Sequence, residues 1–541
     1  GFWNDSAKSY GTGSPAHPLG SELWAYVPKS LLPHLQWLTD VGYAHTYYVD
    51  GEPVSFDANI FADDDDHPNG WGTILAVPMR FGGGTFSVDI DGDGDKETAL
   101  RSSISLFDIT NPENPPILLD EISHPNMGFT TSKPTLVKSR ASSEDGYDAD
   151  SSDRWLLAFG SGPTELDDAT SNQNARLFLY DLETLSFASG YAPYILSDTN
   201  SYIGDIGVAD WDDDYIDDTL YFGVNKGYDL DGDSDNTETG RIVRLRLASV
   251  YEGADDVYDE NDWLVSPAYN SDTLSGISTF MDIERTSIGA PLTKRDENGR
   301  RWVYSGTGRL FTTEDNSSDM QQRYYGVMEP VDSEGAESMV AVDTSNLEDS
   351  SDINVYTTGA VDRNGSVFSI NSTEIENFNQ LEYAISKYKG GWMQELTRES
   401  GSSNPSGRNI NGTASFQKLM LYSEYEPSGS VCSPEGNSKL HAVYYKTGTA
   451  PGYDIVDRPS SDPDYDPDDP DNPNPGAAID TTFDLEQGLT STPVIIDPPG
   501  DDAIALIKKT TGELEKIVIN QEPILGSRES WREINMDGID L

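Results

Sequence analysis

The chain has 541 residues, and 94 acidic against 35 basic side chains give a formal net charge of −59 at pH 7. A surface this negative repels phosphate backbones and anionic lipid headgroups, so nucleic acid and anionic membranes are excluded as partners. With 36% hydrophobic and 10% aromatic residues the chain can still build a sizeable core, and its single cysteine, Cys432, rules out a disulfide framework. No apolar stretch approaches the ~20 residues of a membrane span.

The predicted strands are short apolar or alternating runs, each bounded by Gly, Pro, Asn or Asp. In chain order they occupy residues 71–79, 104–109, 154–160, 175–182, 219–224, 241–247, 301–306, 416–422, 440–445, 492–496, 503–508 and 514–519. Helical periodicity extends over more than two turns only at residues 31–38 and 374–384. The pattern predicts an all-β, helix-poor protein without alternating βαβ units.

A loose repeat runs through these segments, in which a strand ends in Asp or Lys and Thr or Asn follows. The repeated residues are Asp108, Asp181, Asp343, Lys446 and Lys509. Their spacings are 73, 162, 103 and 63 residues, and a weaker copy near residues 244–247 would divide the long gap. Irregular repeats of this size fit propeller blades of ~40–50 residues with insertions, and an array of β-sandwiches is the alternative.

One segment has low complexity, the Pro- and Asp-rich stretch at residues 457–478. Its composition prevents regular structure and burial, and predicted strands continue on both sides of it. We therefore predict a single domain over residues 1–541, with an exposed loop at residues 457–478. The acidic run at residues 63–66 is interpreted as a solvated loop.

Alternating acidic residues predict calcium-binding loops at three places. Calcium needs several oxygen ligands, and Asp side chains at every second position of a tight loop turn inward together. The candidate ligands are Asp210, Asp212, Asp214 and Asp218 in one loop; Asp89, Asp91, Asp93, Asp95 and Glu97 in a second; and Asp229, Asp231, Asp233, Asp235 and Thr237 in a third. None of the loops has the Glu at position 12 that an EF-hand uses, so flanking strands rather than helices are expected.

Enzymatic signatures are missing from the sequence. It has no G-x-S-x-G nucleophile elbow, no phosphate-binding glycine loop, and six His without the spacing of a metal site. Its 94 carboxylates are too many to single out a glycosidase pair. We therefore predict a non-enzymatic protein without catalytic residues. A secreted propeller enzyme of the quinoprotein-like dehydrogenase type is the alternative.

A specific resemblance begins at Glu22 with ELWAYVPKSLLPHLQWLTD and continues in order through the chain. Further matching segments are HPNGWGTILAVPMRFGGG (67–84), LFDITNPENPP (106–116), GFTTSKPTLVK (128–138), WLLAFGSG (155–162), GDIGVADWDDDYIDDTLYFG (204–223), APLTKRDENGRRWVYSGTGRLF (290–311) and SRESWREI (527–534). Together they resemble the C-terminal domain of PilY-type proteins, the type IV pilus biogenesis factors and tip adhesins. The resemblance covers nearly the whole chain. It implies a modified, seven-bladed-type β-propeller with irregular blades and long loop insertions.

The resemblance also implies one metal site. The calcium loop of the family corresponds to the segment from Asp210 to Asp218, so ligand roles pass to the four Asp residues named above and to the carbonyl of Ile216. Tyr215 departs from the Gly or small residue usual in the family at its position. Cys432 matches a cysteine position of the family, and its partner would lie outside this chain.

The implied function is that of a calcium-binding cell-surface protein of the type IV pilus. It would act at the pilus tip in pilus assembly, extension and surface adhesion, together with minor pilins and a host or abiotic surface. The expected location is extracellular, at the pilus tip, with association with the outer membrane as a further expectation. The family carries a long N-terminal half that this chain lacks. We therefore expect a longer precursor whose N-terminal region is a partner, and an incomplete blade around Phe2 and Trp3 that another segment completes.

Overall fold

The computed structural model describes residues 22–89, 93–96, 98–139, 154–188, 194–227, 239–247, 277–331, 338–398, 405–428, 436–453, 455, 478–498 and 502–520, and three short strands before residue 22. Antiparallel sheets dominate, and α1 (Phe378–Tyr388) is the one α-helix among these residues. The all-β prediction is confirmed. Within the described ranges, no helix is long and apolar enough to cross a membrane.

The strands form one small sheet near the start of the chain and then six sheets in succession. The small sheet contains β1 (Trp3–Asn4), β2 (Ser9–Tyr10) and β3 (His17–Pro18). Sheet 1 and its inserted hairpin contain β4 (Val54–Asn59), β5 (Trp71–Pro78), the hairpin strands β6 (Phe86–Val88) and β7 (Thr98–Leu100), β8 (Ile104–Asp108) and β9 (Ile117–Ile122). Sheet 2 contains β10 (Thr135–Ser139), β11 (Arg154–Gly160), β12 (Arg176–Asp181), β13 (Ser186–Phe187) and β14 (Tyr194–Ile195).

The later sheets repeat the same plan. Sheet 3 contains β15 (Tyr202–Ala209), β16 (Thr219–Lys226), β17 (Thr239–Arg246) and β18 (Ile277–Asp282). Sheet 4 and its two inserted hairpins contain β19 (Leu292–Arg295), β20 (Arg301–Gly306), β21 (Arg323–Met328), β22 (Glu348–Asp349), the hairpin strands β23 (Ile353–Val355), β24 (Val361–Arg363), β25 (Phe368–Ile370) and β26 (Thr373–Ile375), and β27 (Gly391–Glu395). Sheet 5 contains β28 (Ala414–Phe416), β29 (Leu419–Glu426), β30 (Asn437–Tyr444) and β31 (Thr482–Gln487), and sheet 6 contains β32 (Val494–Ile496), β33 (Ala503–Lys508) and β34 (Leu514–Ile519).

The six sheets are arranged as the blades of a β-propeller. Strands pair within a sheet, and none of the described strands pairs with a strand of another sheet. The first strands of successive sheets instead contact one another, β10 with β15, β15 with β19, and β28 with β32. First strands that meet in this way surround a common axis, as the inner strands of propeller blades do.

The hydrophobic core consists of layers between neighbouring sheets, which β11 illustrates. Its Leu156 and Ala158 pack with residues of sheet 3, whereas Leu157 and Phe159 pack with residues of sheet 1. Side chains alternate between the two faces of a strand, and in β11 both faces are covered. Because both faces are buried, the sequence of β11 is a continuous apolar run, and such a run predicts a strand.

Both predicted helical segments are helical in the structure, with shifted bounds. The first is a 3-10 helix over Lys29–Thr39, which includes Pro33. The second is α1, which begins four residues later than the predicted segment because Asn377 caps it, its side chain accepting a hydrogen bond from the N–H of Gln380 at 3.1 Å. Three further 3-10 turns lie at Pro68–Gly70, Asp315–Ser317 and Thr344–Asn346.

The repeat seen in the sequence is partly structural. Asp108 and Asp181 end the third strands of sheets 1 and 2, and Lys446 follows the third strand of sheet 5. Lys509 instead follows the middle strand of sheet 6. Asp343 lies outside any strand and caps a 3-10 turn through a bond from the N–H of Ser345, so its inclusion in the repeat was wrong.

Two predictions concern the start of the chain and the Pro- and Asp-rich stretch. Trp3 lies in a sheet of three strands from this chain, whereas five of the six later sheets have four or five, and completion by another segment stays a prediction. The Pro- and Asp-rich stretch at residues 457–478 lies outside the described residues except for Ala478, and Cys432 also lies outside them.

Candidate metal centre

The first predicted calcium loop connects β15 to β16 in sheet 3. Ala209 and Thr219 pair at the ends of the two strands, and the N–H of Asp218 donates to the carbonyl of Ala209 at 2.8 Å, which closes the base of the loop. Tyr215 has a φ of 68°, in the left-handed region that normally favours Gly, and its side chain is 82% exposed. The loop therefore accommodates Tyr215 by directing it into solvent.

Three of the predicted ligands converge in this loop. Carboxylate oxygens of Asp210, Asp212 and Asp218 all lie within 4.8 Å of one another. Oxygens that share one calcium ion lie 2.3–2.6 Å from it, so two of them can be separated by up to about 5 Å. This set of hard oxygen donors therefore fits calcium, both in its chemistry and in its spacing.

One predicted ligand, Asp214, is placed differently from the other three Asp residues. Asp214 is not part of the convergent group, since its carboxylate accepts a hydrogen bond from the N–H of Ile216 at 2.8 Å. The N–H of Tyr215 donates to the Asp210 carboxylate at 2.8 Å, and the N–H of Asp214 lies 3.3 Å from carboxylate oxygens of Asp210 and Asp212. These bonds fold the loop around the carboxylates of the convergent group.

Burial gives two acidic groups of this loop unusual proton affinities. Burial raises the pKa of Asp218, despite a hydrogen bond from the N–H of Trp211, and the neighbouring carboxylates of Asp212 and Asp210 add to the increase. Burial also raises the pKa of Asp217 to about 6. A cation beside Asp218 would oppose this effect, because it favours the ionised carboxylate.

Asp217 attaches this loop to a neighbouring sheet, a role that the sequence did not indicate. Its carboxylate accepts a hydrogen bond from the N–H of Lys138, in β10, at 2.6 Å, and its own N–H donates to the Lys138 carbonyl at 2.9 Å. Asp217 therefore fixes the loop to sheet 2. No local sequence pattern indicates this role, because the partner of Asp217, Lys138, lies 79 residues earlier in the chain.

The opposite side of the loop is attached to sheet 4. Arg295 donates a hydrogen bond to the carbonyl of Trp211 and forms an ion pair with Asp213. The guanidinium of Arg301 lies over the Trp211 ring, 5.2 Å from its centroid, and the Trp211 side chain is almost fully buried. The loop thus contacts the sheets on both sides of its own.

The second predicted loop is only partly described. The carboxylate of Asp89 accepts a hydrogen bond from the N–H of Gly94, and that of Asp93 accepts one from the N–H of Asp95, both at 2.8 Å. Asp91 and Glu97 lie outside the described residues, as do all five candidate ligands of the third loop at residues 229–237. Metal binding at these two loops stays a prediction.

A cavity of about 290 Å³ lies where the inner strands meet, the position at which a propeller enzyme would hold its cofactor. Its lining includes two ion pairs, Arg80 with Asp50 at 2.9 Å and Lys133 with Glu52 at 2.7 Å. Its volume is at the lower limit of ligand pockets, which span about 300–1,000 Å³. The quinoprotein-like alternative therefore gains no support from the space at the axis.

Comparison with known proteins identifies relatives of one kind, although no family model matches the chain. It is 28% identical over 314 residues to a type IV pilus biogenesis factor PilY1 homolog of Xylella fastidiosa, a match that covers 57% of this chain and 20% of the relative. A second PilY1 homolog of that bacterium is 25% identical over 456 residues, 80% of this chain and 25% of the relative. The type IV pilus biogenesis factor PilY1 of Pseudomonas aeruginosa is 28% identical over 170 residues, 30% of this chain and 11% of the relative. The chain thus spans a quarter or less of the length of these relatives.

A solved structure supports the fold. The crystal structure of the C-terminal domain of Pseudomonas aeruginosa PilY1 superimposes with a TM-score of 0.59 and 19% sequence identity, covering 93% of this chain and 89% of that domain. At this identity the likeness establishes the fold alone. The predicted β-propeller class is confirmed.

Proposed function

Because the chain is a PilY-type C-terminal domain, we propose that it is a non-enzymatic, calcium-binding component of the type IV pilus system. The observation that carries the pilus role is the similarity to PilY1 homologs over as much as 80% of the chain. The proposed place of action is the extracellular tip of the pilus, where the domain would take part in assembly, extension and surface adhesion. Minor pilins, the N-terminal region of a longer precursor, and a host or abiotic surface are its proposed partners.

The three convergent carboxylates support the calcium part of the proposal. Without a cation, each pair of carboxylates a few ångströms apart repels by on the order of 1–4 kcal/mol at effective dielectric constants of ~80 to ~20. A bound Ca²⁺ replaces this repulsion with attraction. Asp210, Asp212 and Asp218 would supply side-chain oxygens, and the carbonyl of Ile216 remains a proposed fourth ligand.

Calcium would act on the propeller through the attachments of the loop. Asp217 connects the loop to β10 of sheet 2, and Arg295 connects it to sheet 4. A cation that orders the loop would therefore stabilise the boundaries of three successive sheets. This arrangement would let calcium alter a surface that pilus partners recognise, without any chemical reaction at the site.

The test is a gene deletion in the organism that encodes the protein, complemented with variants of the chain in its natural context. We expect the deletion to reduce surface piliation and twitching motility, and the natural sequence to restore both. The double variant Asp210→Ala and Asp212→Ala should restore assembly but lose its dependence on calcium in the medium. The control variant, Asp497→Ala, removes an exposed carboxylate elsewhere and should behave as the natural sequence does.

Three outcomes would count against the proposal. Unchanged piliation and twitching in the deletion strain would exclude the pilus role. Turnover of a soluble alcohol or sugar by the purified chain, together with a quinone and calcium, would favour the dehydrogenase alternative. Identical calcium responses from the double variant and the natural sequence would place the metal elsewhere, and the loop that begins at Asp89 would then be examined first.

A further inference from the structure

The segment that connects β4 to β5, residues 60–70, is called here the His67 loop. Its backbone closes on itself, because the N–H of Phe61 donates to the carbonyl of Gly70 at 3.1 Å and the N–H of Gly70 donates to the carbonyl of His67 at 2.9 Å. The exposed acidic run Asp63–Asp66 directly precedes His67. The Phe61 ring stacks on the imidazole, with the two ring centroids 4.1 Å apart. The imidazole of His67 therefore has a defined position in the loop.

The imidazole of His67 lies between two carboxylates. Its Nδ1 is 3.0 Å from a carboxylate oxygen of Asp64, and its Nε2 is 3.0 Å from one of Asp108 at the end of β8. An ionised carboxylate only accepts hydrogen bonds, so each ring nitrogen must donate. A histidine that carries hydrogen on both nitrogens is the imidazolium cation. The two contacts together therefore require a protonated His67.

The charged groups around His67 favour this protonated form. The His67 loop, β4, β5 and residues 108–116 contain no Lys or Arg, and their charged side chains other than His67 are all acidic. Burial of the ring lowers the pKa of His67, but hydrogen bonds to Asp108 and Asp64 and the charges of these two carboxylates outweigh it and raise the pKa above 6.5. The acidic residues of these elements are Asp57, Asp63, Asp64, Asp65, Asp66, Asp108 and Glu113.

Loss of the proton would leave one N–H of His67 for two acceptors. The Asp108 side chain is only 8% exposed, and its other oxygen accepts the N–H and the hydroxyl of Thr110 at 2.9 and 2.6 Å. The Asp64 side chain is 56% exposed and can be solvated instead. Leaving a buried acceptor unpaired costs more than leaving an exposed one, so the remaining hydrogen should stay on Nε2. The lone pair of Nδ1 would then face the Asp64 carboxylate and repel it.

We propose that His67 is a proton-dependent latch, which holds its loop against β8 while the imidazole is charged and releases Asp64 when the imidazole becomes neutral. The side-chain amide of Asn111 also donates to Asp66, at 2.7 Å, so the change should rearrange the acidic run without unfolding sheet 1. Because the folded state has the higher pKa, this contribution to stability is complete below pH 6.5 and is lost as the pH rises through the pKa of folded His67. The inference does not depend on the pilus role or on calcium.

The test combines NMR and hydrogen exchange on the purified, untagged chain. Labelling histidine Cε1 with ¹³C gives six signals, and the one that disappears in His67→Gln belongs to His67. We expect this signal to titrate with a midpoint above pH 6.5. Exchange of the amides of residues 61–70, divided by the intrinsic rate at each pH, should be about tenfold faster at pH 8 than at pH 6, the effect of losing one hydrogen bond to a charged group.

Two variants separate the latch from a general effect of pH. Asp64→Asn removes the charge that faces Nδ1 and keeps an acceptor for the backbone N–H groups of Asp66 and His67. It should lower the midpoint of His67 and reduce the difference between pH 6 and pH 8 to less than about twofold. The control, His45→Gln, changes an exposed histidine outside the loop and should behave as the natural chain does.

Several results would overturn the proposal. These are a midpoint of His67 at or below pH 6.5, equal protection of residues 61–70 at pH 6 and pH 8, or an unchanged pH dependence in Asp64→Asn. Equal loss of protection in all sheets at pH 8 would show general destabilisation and would also overturn it. Urea denaturation verifies that each variant is folded. If His67→Gln is not, the signal that shifts in Asp64→Asn identifies His67, and that variant decides the question.

Discussion

Asp217 and Lys138 hold each other through two hydrogen bonds, one from the N–H of Lys138 to the Asp217 carboxylate and one from the N–H of Asp217 to the Lys138 carbonyl, at 2.6 and 2.9 Å. The pair joins an acidic loop of sheet 3 to the inner strand of sheet 2. The three convergent carboxylates therefore belong to a loop held at a fixed position. A fixed loop costs less conformational entropy to organise around a cation than a free one.

Calcium should stabilise the purified chain through Asp210, Asp212 and Asp218. Extracellular calcium loops bind at about 10⁻⁴–10⁻³ M, and calcium at 100 times Kd adds about 2.7 kcal/mol to the free energy of unfolding. We expect the double variant Asp210→Ala and Asp218→Ala to lose the rise in melting temperature that calcium produces. Asp214→Ala should retain most of it, because Asp214 is not in the convergent group. Scanning calorimetry with calcium or with magnesium measures the effect, and equal shifts in all variants would contradict the assignment.

Asp217→Ala should destabilise the chain even without calcium. The variant leaves the partly buried N–H of Lys138 without its carboxylate acceptor, which costs about 1–3 kcal/mol. Asp213→Ala removes the exposed partner of Arg295 and should cost about 1 kcal/mol or less. Chemical denaturation of both variants makes the comparison, and equal losses would show that the Lys138 contact does not anchor the loop.

The buried ion pair of Arg309 and Asp315 should be among the most sensitive contacts of the chain. Both side chains are fully buried, with the guanidinium 3.1 Å from the carboxylate, which also accepts the N–H groups of Phe311 and Thr312. Asp315→Ala removes the carboxylate from this buried ion pair and should cost about 3–5 kcal/mol. The comparison is Glu395→Ala, which removes the partly exposed partner of Arg323 and should cost about 1 kcal/mol or less. Similar melting temperatures for the two variants would refute this ranking.

Stability should depend on pH through Asp205, which lines the axial cavity. Burial raises its pKa to about 6, even though its carboxylate accepts the N–H of Lys133 at 2.7 Å. The folded state therefore binds the proton more tightly than the unfolded state. This contribution to stability is complete below pH 3.8 and is lost as the pH rises through about 6.

Asp205→Asn keeps an acceptor for Lys133 and removes the titration. As the pH falls from 7 to 4, the free energy of unfolding of the natural chain should increase relative to that of this variant. The increase should be about 3 kcal/mol at most, because one pKa unit corresponds to ~1.4 kcal/mol. Urea denaturation at several pH values measures the difference. Parallel pH profiles for the two proteins would mean that Asp205 does not carry this dependence.

Among the predicted strands whose bounds match the structure, β11 is buried on both faces, whereas β34 is largely exposed or half-buried. The predicted runs 154–160, 503–508 and 514–519 coincide with β11, β33 and β34. A strand covered on both sides needs apolar residues at nearly every position, and this is a strong local signal. The succession of such runs was enough to predict the fold class.

The inner strands were poorly predicted for a physical reason. The inner strand β15 contains Gly204 and Gly207. A Cβ at Gly207 would lie 1.9 Å from the carbonyl oxygen of Pro291, the residue just before the next inner strand, β19. Where two backbones approach this closely around the axis, only Gly fits. In a sequence, Gly and Pro indicate turns, so these strands were not recognised. The recurring small or Pro residues just before the inner strands, such as Pro134 and Pro291, were a signal that could have located them.

The convergence of carboxylates in the loop between β15 and β16 was predicted as far as local spacing can reach, and metal binding there stays a prediction. Alternation within nine residues brought Asp210, Asp212 and Asp218 together, as the structure does. It could not distinguish Asp214, whose carboxylate turns back to the N–H of Ile216. The role of Asp217 could not be predicted, because Asp217 attaches the loop to β10, a strand of the preceding sheet.

The attachment of the acidic loop on both sides also bears on how the domain would resist force. None of the described strands pairs with a strand of a neighbouring sheet, so tension on the chain would separate the sheets through side-chain contacts and a few backbone hydrogen bonds, such as the one from the N–H of Ile203 to the carbonyl of Ser161. At the loop, hydrogen bonds to Lys138 and from Arg295 cross the boundaries on either side of sheet 3 and would bear load alongside the apolar layers. A cation that stiffens the loop would raise the rupture force of both boundaries. At the proposed place of action, the pilus tip, bound calcium would then strengthen the domain against tension.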